Sequence, residues 1–243
     1  MAVYGLIGRN IDYSFSKQYF TEKFQNEKKK HSYQNFDIEH LDALSEILSN
    51  TPKLKGLNVT IPYKESIIPL LDDVDEEAAN IGAVNTIKIK SNGKLIGYNT
   101  DHYGFAKALE PFLPLTNKTA LVLGTGGASK AIRYVLDVMG FDYKIVSRNP
   151  AEDVLTYKDL TPAIIKDHLL IINCTPLGTY PNILDCPSIP YLNLHKDHLL
   201  FDLIYNPTTT EFLKRGFAQG AQISNGYKML VHQANKAWRI WNA

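Results

Sequence analysis

The sequence predicts an α/β protein in two parts. Three observations carry this. Apolar runs of strand length alternate with segments of helical periodicity along most of the chain. Near the middle, the apolar run 120–123 breaks into Gly124-Thr125-Gly126-Gly127-Ala128-Ser129, and a helical pattern follows with Ala131, Ile132, Val135, Leu136 and Met139 on one face. Just before it, a helix opening at Thr100 or Asp101, either able to cap it, stops at Pro111 and Pro114, where a domain boundary is expected. The 243 residues suffice for one large domain or two small ones.

Each element is read from its own residues. Residues 3–7 form a first strand, closed by Gly8. A helix spans 17–29 with Tyr19, Phe20 and Phe24 as its apolar stripe. A strand over 32–38 leads to a helix over 39–49 that turns Leu41, Leu44, Ile47 and Leu48 inward. The strand 54–59 runs into Thr60-Ile61-Pro62-Tyr63-Lys64, where Pro62 suits the first turn of a helix. Residues 72–81, acidic and then alanine-rich, are expected to be helical. Segments 83–90 and 94–98 make a hairpin across Ser91-Asn92-Gly93. Beyond the glycine turn, strands are expected over 141–146, 169–173, 199–203 and 221–223. A helix is expected over 208–217, and an amphipathic one over 229–241.

Strand, glycine turn and helix in that order is the context a dinucleotide fingerprint requires, and it predicts a Rossmann-type fold. Gly124 permits the tight turn. Gly126 lets the backbone approach a pyrophosphate, whose charge suits the N–H groups of a helix N-terminus. Ser129 is small enough for close helix–strand packing. The competing reading is a glycine turn with no ligand. The end of the second strand carries Ser147-Arg148-Asn149, where an NAD-binding fold usually has a carboxylate for the ribose hydroxyls. A carboxylate repels a 2′-phosphate, whereas Arg148 grips one with several donors. The expected cofactor is therefore NADP; a solvated surface arginine is the other reading of Arg148.

Composition excludes several classes. Lys plus Arg, 26, nearly equals Asp plus Glu, 25, so no global field favours nucleic acid or an anionic membrane. The run Lys28-Lys29-Lys30 reads as a solvated helix end. The N-terminus turns polar too soon for a signal peptide, and no apolar run reaches membrane-spanning length. Cys174 and Cys186 form no CxxC pair, so they read as reduced thiols in a cytoplasmic protein. The histidines are scattered without an HExxH, and no metal is expected.

Polar clusters stand where apolar strands stop: Ser14 and Ser16; Asn58, Thr60 and Lys64; Asn85; Asn99 and Asp101. Ligands of open α/β sheets collect at such strand ends. Hydroxyls and amides both donate and accept, which suits a polyhydroxylated substrate. Lys64 and Asp101 are the obvious acid–base pair: reducing a ketone makes an alkoxide, which a lysine can protonate while a carboxylate orients it. Taken singly, each residue also has a plain reading as a turn residue, a strand-end or helix cap, or a surface charge.

Together these segments resemble shikimate dehydrogenase over nearly the whole chain. The marks are Ser14-Phe15-Ser16, Asn58-Val59-Thr60-Ile61-Pro62-Tyr63-Lys64, Gly82-Ala83-Val84-Asn85-Thr86 and Asn99-Thr100-Asp101. Further marks are the glycine turn, Asn173-Cys174-Thr175-Pro176-Leu177-Gly178, Asp202-Leu203-Ile204-Tyr205, and the run from Asn225-Gly226-Tyr227-Lys228-Met229 to His232-Gln233-Ala234. The resemblance implies reversible reduction of 3-dehydroshikimate to shikimate with NADPH in aromatic amino-acid (chorismate) biosynthesis. It implies an α/β substrate-binding catalytic domain, 1–101 plus 226–243, and a Rossmann NADP-binding domain, 102–225, separated by a cleft. By motif, Ser14, Ser16, Asn58, Thr60, Asn85 and Asp101 contact substrate, Lys64 is the acid–base residue, and Tyr205 and Gln233 close the substrate site. Gly124, Thr125, Gly126, Gly127, Ala128, Ser147, Arg148, Asn149, Leu203, Gly226 and Met229 line NADP, with Thr175 and Leu177 beside the nicotinamide. Shikimate or 3-dehydroshikimate is the expected partner, of a monomer or homodimer.

Three departures from the family pattern stand out. Both early serines are kept, but Asn10-Ile11-Asp12-Tyr13 and Lys17 replace flanking prolines and a histidine, which removes rigidity from that loop. Pro150-Ala151-Glu152 follows Asn149 where a further basic residue is usual, so Arg148 carries most of the phosphate recognition. The chain is short for the family, so trimmed surface loops are expected. Two other functions compete: a quinate-accepting or NAD-using relative, and a non-catalytic cofactor-sensing module, against which the pair Lys64 and Asp101 argues.

Overall fold

The structure, a computed structural model, describes residues 1–12 and 14–243; Tyr13, in the early serine loop, lies outside the described residues. Contacts divide the chain into two compact units, Met1–Thr100 with Ala234–Ala243, and Asp101–Gln233.

In the first unit, β1 (Val3–Gly8) is buried throughout. Its alternation sends Val3 and Ile7 into one apolar cluster and Tyr4 and Leu6 into another. Helix α1 (Phe15–Asn26) begins two residues earlier than the pattern predicts, because Ser14 caps it: the Ser14 hydroxyl accepts from the Ser16 N–H at 3.3 Å. β2 (Ser32–Asp37), α2 (Ala43–Asn50) and β3 (Leu54–Val59) follow. The helix expected at Pro62 does not form. Residues 61–67 make successive turns that end in a 3-10 segment, Ile68–Leu70, where Pro69 has no N–H to carry a helix on. The helix expected from residue 72 starts later. Asp73–Val74 is a strand, β4, held by Asp72 N–H to Leu95 O at 3.0 Å and Asp75 N–H to Gly97 O at 2.9 Å. Asp75 then caps α3 (Glu76–Ile81). β5 (Thr86–Ile89) and β6 (Leu95–Tyr98) form the expected hairpin, with Gly93 at φ 84° in its turn.

Among the described residues these strands form a six-stranded sheet in the order β2-β1-β3-β5-β6-β4. β1 is parallel to both neighbours, whereas β5 runs antiparallel between β3 and β6. One face is covered by Phe20 and Phe24 of α1 together with Ala237, Trp238 and Trp241 from the C-terminal residues. The fit there is close: a Cβ on Gly56 would collide with the Trp241 indole, whose Nε1 donates to Ile87 O at 3.0 Å.

The early loop, without its prolines, is pinned otherwise. The Asp37 carboxylate accepts from Asn10 N–H at 2.9 Å and Ile11 N–H at 3.0 Å, and the Ile11 side chain is buried.

The second unit contains α4 (Asp101–Leu109), β7 (Thr119–Leu123), α5 (Gly127–Met139), β8 (Asp142–Ser147), β9 (Val154–Thr156), α6 (Pro162–Asp167), β10 (Leu170–Asn173), β11 (Leu199–Asp202), α7 (Glu211–Ala218) and β12 (Gln222–Ser224). Helix α8 (Tyr227–Asn242) closes the chain; it belongs to this unit through Gln233 and to the first from Ala234. The return point lies later than residue 226 because Met229 is buried in the second unit's core with Phe105 and Phe201. The sheet order is β12-β11-β10-β7-β8-β9, with parallel ladders throughout. Two halves, β7-α5-β8-β9 and β10-β11-α7-β12, thus meet at β7 and β10, where the strand order reverses. Both faces are covered: Ala120, Val122, Ile172 and Phe201 face one cluster, and Leu121, Leu123, Ile171 and Leu200 the other. Double burial explains the unbroken apolar runs in the sequence.

Candidate active site

The first unit's polar residues converge at the ends of β3 and β5. The ladder places Asn58 opposite Thr86. Asn58 donates through Nδ2 to Thr86 Oγ1 at 3.2 Å and to Asn85 O at 3.3 Å, and its Oδ1 accepts from the buried Tyr33 hydroxyl at 2.8 Å. Asn85 Oδ1 accepts from Thr100 N–H at 2.7 Å and from the hydroxyls of Thr100 and Thr86, each at 3.1 Å. That occupies the carbonyl end of Asn85. Thr60 and Lys64 follow β3 and are half-buried. Their segment is laced to the Asn85 segment by Val59 N–H to Asn85 O at 2.8 Å and Val84 N–H to Lys64 O at 2.7 Å. Ser14 and Ser16, half-buried, open α1, and a hydrogen bond from Ser16 reaches Tyr33. Burial pushes the Tyr33 phenol well above its ordinary range, so it acts as a neutral hydroxyl. Tyr33, Thr86 and Thr100 lay outside the site predicted from sequence. Strand-end position marks Thr86, but nothing local marks Tyr33 as Asn58's partner.

In the second unit, Gly124 at φ 111° makes the turn its Cβ-free backbone allows. Gly126 is the N-cap of α5 and Gly127 its first residue. A Cβ built on Gly126 would meet no heavy atom within 4 Å, so the helix N-terminus opens onto space. Ser129 is fully buried and donates to Gly126 O at 2.8 Å, tightening the turn. Thr125 is exposed and Ala128 half-buried beside it. Ser147 ends β8, and Arg148 and Asn149 are exposed beyond it. The charge of Arg148 is felt by the Tyr157 hydroxyl, whose pKa burial raises and Arg148 lowers. Open backbone at a helix N-terminus, with a cation and no carboxylate at the next strand end, fits a dinucleotide bearing a 2′-phosphate.

The ends of β10 and β11 carry the rest. Thr175 donates from its N–H (3.0 Å) and hydroxyl (2.6 Å) to Asn173 Oδ1, and Leu177 N–H reaches Thr175 Oγ1 at 3.3 Å. Burial raises the Cys174 thiol far above its ordinary range, which keeps it an unreactive thiol. Leu203 and Tyr205 are half-buried. Gly226 approaches so closely that a Cβ there would strike the Leu203 carbonyl, and its N–H donates to Ile204 O at 3.0 Å. Asp101 is buried as the first residue of α4. Gln233 is buried on α8 against Gly104 of α4, where a Cβ would stand 3.0 Å from its own. Met229 is buried in the core. Sequence reasoning missed Asp202 and Thr210, which lie beneath these loops; a carboxylate ending the apolar run of β11 was the available signal.

A doubly wound parallel sheet with a glycine turn at its first strand, joined to an α/β unit rich in strand-end hydroxyls and amides, defines a dinucleotide-dependent oxidoreductase. Similarity narrows the class. The profile of the shikimate dehydrogenase substrate-binding domain matches residues 6–87. A shikimate dehydrogenase (NADP(+)) of Clostridium botulinum is 38% identical, across 98% of this chain and 95% of that one. A solved shikimate 5-dehydrogenase of Thermus thermophilus, in complex with NADP(H) and shikimate, superposes with a TM-score of 0.87 at 30% identity, covering 99% of this chain and 93% of that one. A quinate dehydrogenase of Corynebacterium glutamicum in complex with NAD gives 0.87 at 28% identity, with 99% and 93% covered. The chain belongs to the shikimate dehydrogenase family.

Proposed function

We propose that this protein catalyses the reversible NADPH-dependent reduction of 3-dehydroshikimate to shikimate, a cytoplasmic step of aromatic amino-acid biosynthesis. The observation that carries the reading is kinship at 38% identity over 98% of the chain, which takes in both the Lys64 segment and the glycine turn. The two free thiols, Cys174 and Cys186, support the location. The first unit is the substrate-binding domain and the second binds NADP. When bound, NADPH supplies the hydride to the substrate's carbonyl carbon. Lys64 gives a proton to the carbonyl oxygen as charge develops there, and takes it back in the oxidation; Asp101 orients the ammonium. Ser14, Ser16, Asn58, Thr60, Asn85, Tyr205 and Gln233 hold hydroxyls and carboxylate. The α5 N-terminus takes the pyrophosphate, Arg148 the 2′-phosphate, and Thr175, Leu177, Leu203, Gly226 and Met229 flank the rest of the cofactor.

A spectrophotometric assay of NADP and NAD reduction, with shikimate and quinate side by side, tests this. Shikimate with NADP is expected to give the highest kcat/KM. Likeness to the C. glutamicum quinate dehydrogenase, solved with NAD, favours the second reading, a quinate-oxidising or NAD-using enzyme. A higher kcat/KM for quinate or NAD in the same assay establishes that reading instead.

A further inference from the structure

Beneath the ends of β10 and β11 lies a carboxylate to which the proposed reaction gives no task. Asp202 is fully buried, the last residue of β11, in register with Asn173 at the end of β10. Its Oδ1 accepts from Asn173 Nδ2 and from Ile204 N–H, each at 3.0 Å, and its Oδ2 accepts from the Thr210 hydroxyl at 2.5 Å. Every one of these partners is a donor, so the charged carboxylate is the matched form. Each leads to a different loop. Asn173 is oriented so that its Oδ1 takes both donors of Thr175, while its Nδ2 also reaches Leu177 O at 3.3 Å. The Ile204 amide sits inside the turn between Leu203 and Tyr205. Thr210 is the N-cap of α7, accepting from Leu213 N–H at 3.4 Å.

In a doubly wound sheet a dinucleotide lies across the strand-order reversal, here between β7 and β10. The glycine turn and Arg148 belong to the β7–β8 side and meet the adenosine half. The other mononucleotide half then lies over the ends of β10 and β11. Resting on the NADP-dependent reading above, we propose that Asp202 is a positioning residue for the nicotinamide half of the cofactor. It locks the loop 175–177 and the turn 203–205 into one arrangement through Asn173 and Ile204, and contributes nothing to the adenosine half.

The energetics agree. Burial pushes the Asp202 carboxyl up to about 6, against the pull of its three donors. An ionised carboxylate is thus kept in the core at a cost to folding, as positions that serve chemistry often are. Among the described residues, Cys174 and Tyr191 feel its charge, and burial holds both neutral. Glu211 and Arg215 of α7 pair with each other at 2.8 Å.

The test is to titrate the wild type, Asp202→Asn and Thr210→Val with NADPH and with adenosine 2′,5′-bisphosphate, which lacks the nicotinamide half. Asp202→Asn is expected to weaken NADPH about tenfold and the bisphosphate by less than about twofold. Thr210→Val, which keeps the carboxylate but removes one donor, moves both in the same direction by less, and carries the test should the Asn variant not fold. Unchanged NADPH affinity overturns the proposal. Equal loss for both ligands also overturns it, since it marks a merely structural residue. These titrations use no substrate, so a wild type that binds NADPH but ignores shikimate refutes the reaction and leaves this split readable.

Discussion

The two units solve one problem with different chemistry. Each must hold strand-end groups rigid beneath loops that meet a ligand. The first uses neutral groups: Tyr33, Asn58, Asn85, Thr86 and Thr100 are linked by amide and hydroxyl hydrogen bonds of 2.7–3.3 Å. The second uses a charge, Asp202, surrounded by donors. A neutral network keeps its protonation across the working pH range; a buried carboxylate does not. The contrast implies that the first unit's amide–hydroxyl network is insensitive to mild acid, while the second unit's scaffold carries a titrating group.

The largest expected effect concerns chemistry placed in one unit alone. Lys64→Ala is expected to lower kcat by roughly two to four orders of magnitude, with NADPH affinity nearly unchanged. Steady-state kinetics beside a cofactor titration checks it, and near-normal turnover would remove Lys64 from the mechanism. Next comes the charge itself. An unfolded aspartate titrates near 4 and folded Asp202 near 6, so between those values the folded state holds a proton the unfolded state has lost. Stability from this group is therefore greatest below pH 4, falls as pH rises to about 6 and is flat above. Urea melts from pH 4 to pH 7 are expected to show the wild type losing roughly 2 kcal/mol relative to Asp202→Asn. Parallel curves would show that the carboxylate is not strained by burial.

Arg148→Ala sharpens the division within the second unit. It is expected to raise KM for NADP about tenfold or more and leave KM for NAD in place, since one charge-assisted contact is lost only where a 2′-phosphate exists. Equal effects on the two cofactors would mean that Arg148 is only a surface cation. The smallest effect tests the neutral network. Tyr33→Phe removes the buried hydrogen bonds to Asn58 and from Ser16 and should cost about 1–2 kcal/mol, equally at pH 5 and pH 8. A cost that grows toward either end would break the contrast between the units.

The second unit was the more legible in sequence. Its core strands are buried on both faces, so they stand out as apolar runs, and β7, β10 and β11 were placed to within a residue or two at each end. The elements missed there, β9 and α6, span three and six residues, too few for a periodic pattern, and β9 is an edge strand that is only half-buried. In the first unit β4 was read as helix. Asp72, Asp73 and Asp75 look like an acidic helix start, and only Asp75 is the cap; the two before it are drawn into a ladder by β6. The loop at Asn10 shows the reverse. Its lost prolines predict slackness, yet Asp37, distant in sequence, clamps it.

The sequence by itself determined the alternation of strand and helix, the glycine turn with Arg148 after the next strand, and the types of residue gathered at strand ends. These are local properties, set by periodicity, backbone freedom and side-chain chemistry over a few neighbouring positions. Tertiary structure alone decided which strand ends become neighbours: β5 inserted antiparallel beside β3 so that Asn58 meets Thr86, and β11 beside β10 so that Asp202 meets Asn173. The two pairings join residues 28 and 29 positions apart. Such contacts depend on the closure of long loops and on the burial of whole faces, which no short window of sequence contains.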